Sequence, residues 1–222
     1  MQPHRRLIIA VLPVLALLAG AATAQARIVE LGEVGGASTP TCPTSPCLAV
    51  SRTTGYQDMV GNTPHRYRVP ANGRLVAWTI ALGNPNRKQI SFFDNAFGKA
   101  SAAITVLRRG KKKLQRFTVG EGPVQKLQPY FGQTVQFPLR KTIRVHRRDL
   151  IGLTVPTWAP ALSHLLSDGS AWLASRPRGG CDDTDTQTAQ LEVGPATRYR
   201  CRYSARLTYS ATLVTSPKPT AG

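Results

Sequence analysis

Tyr199-Arg200-Cys201-Arg202-Tyr203-Ser204-Ala205-Arg206-Leu207-Thr208-Tyr209-Ser210-Ala211-Thr212-Leu213 switches at every step between two kinds of side chain. Tyr199, Cys201, Tyr203, Ala205, Leu207, Tyr209, Ala211 and Leu213 fall on one face. Arg200, Arg202, Ser204, Arg206, Thr208, Ser210 and Thr212, continuing from Arg198, fall on the other. Successive side chains of an extended chain point to opposite faces, so a period of two predicts a strand. Sustained this far, it predicts one long strand, or two joined by a bulge, with one face in a core and one in water. Half-buried strands belong to antiparallel sheets, whereas parallel strands read as unbroken apolar runs.

The same signal recurs upstream. Arg66–Val69 enters a turn at Pro70-Ala71-Asn72-Gly73, after which Val76, Trp78, Ile80 and Leu82 share a face. Ala102–Leu107 predicts another strand, Gly110 a hairpin tip, and Leu114–Val119 the return. Gln133–Leu139, Ile143 with Val145, the alternating Ile151, Leu153 and Val155, Ala171–Ser175 and Gln190–Val193 complete the set, and Arg147-Arg148-Asp149 predicts a turn. Gly and Pro punctuate these runs, and no helical periodicity of useful length interrupts them. Many short strands without crossover helices predict an all-β fold: a single antiparallel β-sandwich of jelly-roll-like form.

The N-terminus predicts export. Arg5 and Arg6 precede an apolar run from Leu7 to Ala19, and the small-x-small patterns Ala22-Thr23-Ala24 and Ala24-Gln25-Ala26 follow. This is the order of a secretory signal peptide. The run falls short of the roughly 20 residues that a spanning helix needs. The expected organisation is a signal peptide over 1–26, cleaved after Ala24 or Ala26, an N-terminal arm over 27–55, the sandwich over 56–215 and a flexible tail over 216–222. A secreted, extracellular or envelope-associated protein without a transmembrane segment follows.

Four cysteines in an oxidising compartment predict two disulfides. Three pairings are open. Local pairing is the expected one: Cys42 with Cys47 around a Pro-rich turn, and Cys181 with Cys201. The spacings fit no zinc pattern.

The chain carries 29 Lys and Arg against 11 Asp and Glu. Loss of Arg5 and Arg6 with the leader leaves 27 against 11, a net charge of +16. Such an excess favours polyanionic partners. The bases fall into three groups: Arg108, Arg109, Lys111, Lys112, Lys113 and Arg116; Arg140, Lys141, Arg144, His146, Arg147 and Arg148; and the stripe Arg198, Arg200, Arg202 and Arg206. Residues two apart on a strand stand roughly 6.6–6.8 Å apart on one face. A row of guanidiniums at that interval suits a charged polymer, because each fork donates two parallel hydrogen bonds to a carboxylate or phosphate. The plainer reading is a solvated face whose charges prevent edge-to-edge pairing.

Arg68-Val69-Pro70-Ala71-Asn72-Gly73-Arg74-Leu75-Val76-Ala77-Trp78, then Ala103-Ile104-Thr105-Val106-Leu107-Arg108, then Val145-His146-Arg147-Arg148-Asp149-Leu150-Ile151-Gly152-Leu153 form an ordered set of elements. Over roughly 56–214 the set resembles exported jelly-roll-like domains of uncharacterised function from actinobacteria. More loosely it is similar to lectin-like and carbohydrate-binding sandwiches. The resemblance implies a fold and carries no catalytic residue.

Catalytic chemistry finds no motif. The eleven acids single out no glycosidase pair. Ser163-His164 and Asp168 lie near one another in sequence without a nucleophile elbow. His65, His146 and His164 read as surface or turn residues. With both disulfides formed, no thiol is left for nucleophilic catalysis. Gly179–Thr186 gathers Asp182, Asp183 and Asp185, an oxygen set that suits Ca²⁺, although a polar loop anchored by Cys181 is the simpler reading and no cofactor is expected. Trp78 reads as core. Trp158 and Tyr130-Phe131 sit in expected loops as candidate contact aromatics. The leading expectation is a secreted, non-catalytic binding domain for an anionic polysaccharide or cell-envelope polymer. The alternatives are a structural or protein-interaction domain and a hydrolase of unfamiliar type. No base-reading motif points to specific nucleic-acid binding. The sequence leaves the ligand and the oligomeric state open.

Overall fold

The computed structural model describes residues 25–35, 39–164, 168–177, 179–183 and 189–217. Most of the expected leader, the end of the tail and Asp185 lie outside the described residues. In chain order the strands are β1 (Ile28–Gly32), β2 (Val50–Val60), β3 (Thr63–Pro64), β4 (Gly73–Ala81), β5 (Ser101–Arg109), β6 (Gln115–Glu121), β7 (Gln125–Lys126), β8 (Thr134–Val145), β9 (Leu150–Ala159), β10 (Leu162–Ser163), β11 (Ala171–Ala174), β12 (Ala196–Arg198), β13 (Cys201–Tyr203), β14 (Arg206–Leu207) and β15 (Tyr209–Thr215). Helix α1 (Arg87–Phe97) stands between β4 and β5.

The strand pairs are antiparallel, and the fold is all-β with a sandwich layout. One sheet runs β1-β15-β4-β8. The other follows the path β12-β6-β5-β9-β2-β11-β13, with β3 added to β2 and β7 to β5. β10 and β14 pair separately. In the larger sheet β12 and β13 lie at opposite ends of the path, yet only Tyr199 and Arg200 join them. The three backbone steps from Arg198 to Cys201 reach at most roughly 10–11 Å. The sheet must therefore curl until its two edges nearly meet.

Curling gives the sheet two buried faces. Against the four-stranded sheet it packs Ile104, Val106, Ile151, Leu153 and Val155, which meet Leu75, Trp78, Ile80, Tyr209 and Leu213 in the main core. On the concave side Tyr56, Leu107, Leu173 and Tyr199 form a second, smaller core, flanked by Leu114 and Leu150. Central strands buried on both faces explain why Ala102–Leu107 carries more apolar side chains than strict alternation demands. The Tyr67 and Tyr209 rings pack tilted at 4.7 Å, and Tyr209 donates to the Ile151 carbonyl at 2.8 Å, tying the two sheets together.

Several expectations hold and others need correction. The disulfides are Cys42–Cys47 and Cys181–Cys201, the local pairing. The run from Tyr199 to Leu213 is not one strand. It is divided among β13, β14 and β15, which belong to three different sheets. A bend at Ser204-Ala205, where the Ala205 amide donates to the Tyr203 carbonyl at 3.0 Å, carries the chain across the sandwich. Alternation survives in β15, where Tyr209, Ala211 and Leu213 face the core. Arg206, expected in water, is 6 % exposed. Its Nη2 donates to the Glu33 carbonyl at 3.1 Å and lies 3.4 Å from the Glu33 carboxylate, which compensates the buried charge. Gln190–Val193 is not a strand, and β12 begins only at Ala196.

Helix α1 was not expected either. Asn86 caps it, accepting from the Gln89 amide while the Gln89 side chain accepts from the Asn86 amide, a reciprocal capping box. Ile90, Phe93 and Phe97, on one helical face, pack partly buried against the main core. Trp158, expected in an exposed loop, lies in β9 fully buried. It stacks on Phe93 at 4.7 Å and donates to the Gly98 carbonyl at 2.9 Å and the Asp94 carboxylate at 3.1 Å. Tyr130 and Phe131 are half-buried, and Phe131 also packs on Trp158. Trp158, backed by Phe131, is thus the dock for α1, whereas Tyr130 packs edge-on against Phe137 in β8.

Candidate functional site

Three turns distant in sequence converge at the mouth of the curl. The β2–β3 hairpin and its exit bring His65 and Arg68. The β5–β6 hairpin brings Arg109, Lys113, Leu114 and Arg116. The β8–β9 turn brings Arg148. With Tyr56, Gln57, Asp58 and Leu150 they enclose a pocket of about 220 Å³. Five permanent cations face one carboxylate, Asp58, and that carboxylate is already engaged by Arg202 at 2.6 Å.

The pocket backbone is strained. Four non-glycine residues among those described have left-handed φ angles, and three of them, His65 (+68°), Leu114 (+59°) and Arg148 (+77°), line this pocket. A left-handed L-residue costs roughly 1–2 kcal/mol, and such strain clusters where surrounding structure over-determines a site. Here the surroundings do so: the Arg68 amide donates to the His65 carbonyl at 2.9 Å, the Arg148 amide to Val69 at 2.8 Å, and the Tyr199 amide to Leu114 at 2.9 Å. Arg148→Gly removes the penalty at an exposed position. It is expected to raise stability by about 0.5–1 kcal/mol, read as a higher urea midpoint, while weakening anion binding.

The floor is aromatic. Arg116 lies over the Tyr56 ring at 5.2 Å and its Nη2 donates to the Tyr56 hydroxyl at 2.9 Å. Tyr199 packs on Tyr56 at 5.4 Å. Burial raises the Tyr56 hydroxyl above its ordinary range, with Arg116 pulling it back. The Nε groups of Arg68 and Arg116 are buried and have no hydrogen-bond partner. Arg68, Arg109, Lys113 and Arg148 pair with no carboxylate among the described residues. The arrangement offers several unneutralised donors to one small acceptor-rich group such as a sulfate, phosphate or carboxylate.

The three basic groups read from the sequence are thus redistributed. Arg108 is spent on structure: its Nε and Nη2 grip the buried Asp149 carboxylate in two 2.8 Å hydrogen bonds, and Nη2 lies 2.8 Å from His146 Nδ1. Lys111 and Lys112 stay at the hairpin tip. Arg140, Lys141 and Arg144, with Arg74, rim an open groove of about 990 Å³ between β6 and β8, floored by Val119, Phe137 and Ile143. The stripe is not a row. Arg198 ends β12 at one edge of the curl, Arg200 is in the link, Arg202 lies on β13 paired with Asp58, and Arg206 is buried.

Inside the curl a polar string runs across the sheet. Gln190 donates its amide to Thr54 Oγ1 at 2.8 Å, Thr54 and Thr154 hydroxyls meet at 2.9 Å, and Thr105 links Thr154 to the Glu121 carboxylate. Burial pushes the Glu121 carboxyl up to about 7, against the pull of hydrogen bonds from Thr154 and Thr105. A raised acid stays neutral in the fold while the unfolded chain ionises near its ordinary 4.5. The penalty is absent below that value, grows as pH rises toward 7 and is complete above it. Glu121→Gln is therefore expected to raise the urea midpoint at pH 8 and leave it unchanged at pH 4. The gain is about 1–2 kcal/mol once partial exposure is discounted.

The remaining sequence candidates stay apart. Asp168 accepts from the amide and hydroxyl of Ser170, and the amide hydrogen bond, above all, holds its pKa below the ordinary carboxylate range. Ser163 is buried in β10. Asp182 and Asp183 are exposed, and among the described residues no three His, Cys, Asp or Glu side chains converge on a metal position. No helix of the described residues is long and apolar enough to cross a membrane. The pocket itself escaped sequence reading; its one signal was the nearness of bases to turns at 65–68, 109–116 and 147–149. Comparison with known proteins finds no matching family model, no matching curated protein and no matching solved structure.

Proposed function

We propose that the protein is an exported, non-catalytic binding domain that captures an anionic polysaccharide or envelope polymer, seating one charged group of the polymer in the pocket at the mouth of the curl. The observation that carries this reading is the pocket's excess of unpaired cations on a strained, hydrogen-bonded backbone. The cations of the β5–β6 hairpin tip flank the pocket and extend the positive surface along which further charges of the polymer would lie. The two disulfides are compatible with an extracellular setting. The test is binding to immobilised heparin and to uncharged dextran, titrated with salt. The expected result is retention on heparin alone, with log affinity falling linearly in log salt as displaced counterions are released. Retention on both, or on neither, would refute the reading.

A second reading, docking to another protein, rests on one observation. Phe117, Leu191 and Val193 are 36 %, 46 % and 61 % exposed around β12 and its partner β6, an apolar fringe on the sheet edge.

A further inference from the structure

The open groove of about 990 Å³ between β6 and β8 follows from sheets of unequal width. β8 ends the four-stranded sheet, whereas the sheet opposite continues past β5 to β6 and β12. Among the described residues, no further strand of the smaller sheet follows β8 to lie over β6. Phe137 belongs to the main core and Val119 and Ile143 pack against it, so the floor of the groove is the open side of that core. Val193, 61 % exposed, lines the groove too and ties it to the apolar fringe of Phe117 and Leu191.

Four exposed bases line the same groove: Arg74, Arg140, Lys141 and Arg144. Their placement has a local cause. Leu75 pairs with Ile143 and Ala77 with Pro138, so residues 139–142 stand opposite Val76 alone. This bulge takes Arg140 and Lys141 out of the ladder at the edge of the sheet, where bulges are common. Arg74 reaches across it, donating from Nε to the Thr142 hydroxyl and from Nη2 to the Thr142 carbonyl at 2.9 Å. None of the four bases pairs with a carboxylate among the described residues. The one carboxylate of the lining, Glu121, accepts from Thr105 inside the curl, and burial favours its neutral form.

An apolar floor beneath several unpaired cations selects among anions. An anionic polysaccharide brings charge but no apolar side chains to cover Val119, Phe137 and Ile143. A single-headed amphiphile brings one charge, whereas the cations are spread: Arg140 and Arg144 are separated by up to roughly 13 Å of strand. An extended polypeptide of alternating acidic and apolar residues meets both demands, because its successive side chains point to opposite sides. We propose that the groove between β6 and β8 docks an extended acidic segment of a partner protein. The apolar side chains of that segment cover Val119, Phe137 and Ile143, and its carboxylates turn to Arg74, Arg140, Lys141 and Arg144. The proposal extends the protein-docking reading. The groove shares no residue with the cationic pocket, so polymer capture can fail without it.

The test uses the full protein with both disulfides formed and a fluorescein-labelled peptide of alternating glutamate and valine, about eight residues long, followed by fluorescence anisotropy. The expected result is saturable binding. A peptide of alternating glutamate and serine, equal in charge, binds at least roughly tenfold more weakly, because its side chains leave the apolar floor in water. Arg140→Ser, Lys141→Ser and Arg144→Ser together weaken the valine peptide by roughly tenfold, the loss of three exposed ion pairs. Val193→Ser weakens it by about three- to tenfold. All four positions are exposed, so the variants keep the fold. Arg68→Ser, Arg109→Ser and Arg148→Ser together leave peptide binding intact. No saturable binding, equal binding of the valine and serine peptides, or no loss on replacing the three groove bases would overturn the proposal. Loss with Val193→Ser but not with the three bases overturns the acidic partner and leaves docking at the apolar fringe standing. If the groove variant loses heparin rather than the peptide, the groove is a polysaccharide site and the proposal fails.

Discussion

Replacing Arg68, Arg109 and Arg148 together with Ser is expected to weaken heparin binding at least about a hundredfold near physiological salt. Each hydrogen bond from a charged donor contributes roughly 1.5–3 kcal/mol, so the loss of even two productive contacts reaches that figure. The salt dependence changes with it. Because the pocket seats one charged group of the polymer, the slope of log affinity against log salt flattens by about 1. Stability hardly moves, because none of the three pairs with a carboxylate among the described residues and no acid is orphaned by their removal. Isothermal titration of wild type and variant at several salt concentrations measures both quantities.

The second large effect is on the fold. Trp158→Ala is expected to cost about 3–5 kcal/mol. The side chain is fully buried, stacks on Phe93, touches Phe131 and donates to both Gly98 and Asp94. These contacts join the end of α1 to β9, so the variant should lose helical ellipticity before the sheets unfold. Urea unfolding followed by far-ultraviolet circular dichroism reads both changes. Trp158→Phe keeps the stack and loses the N–H. Its expected cost is smaller, about 1–2 kcal/mol, because Asp94 retains Lys99 and Gln128 as partners. A loss below about 0.5 kcal/mol for the Ala variant is the signature of an exposed loop residue and would refute the docking role.

Trp158 also marks what the sequence could not tell. Its neighbours Pro156 and Pro160 suggested a loop, yet β9 runs through Ala159. Burial there depends on α1, a helix too short to show a long periodic pattern. Its signals were present in miniature: the Asn86-x-x-Gln89 box and the i, i+3, i+7 spacing of Ile90, Phe93 and Phe97. The strands with one face in the main core were legible. Trp78, Ile80 and Leu82 are buried where the pattern put them, but a bulge between Leu75 and Ala77 gives the next core position to Leu75 instead of Val76, and Ile151 to Val155 is buried at every position because β9 has a core on both faces. Tyr199–Leu213 was half legible. Period two reports which way a side chain points and is silent on which sheet the segment joins. The division into β13, β14 and β15 follows from the need of a curled sheet to hand its chain to the opposite layer. Arg206 is buried because Glu33, 173 positions away in the chain, meets it.

The pocket was illegible for a related reason. Basic clusters at 108–116 and 144–148 stand out in any reading, but their convergence with Arg68 depends on how far the sheet curls. Nor did composition mark the backbone. Left-handed residues are usually glycine or asparagine, and the three here are His, Leu and Arg. The sequence divides the bases among three groups, and the regular spacing of Arg198–Arg206 singled that segment out as the candidate binding stripe.

The most direct test of polymer capture is an amide chemical-shift map of the ¹⁵N-labelled protein titrated with a short heparin oligosaccharide. The expected result is saturable movement concentrated at His65, Arg68, Leu114 and Arg148, with Arg198 and Arg200 little changed. Movement centred on Arg198–Arg202, or spread evenly over every basic turn, would contradict a built pocket and leave only diffuse attraction between a polyanion and a basic surface.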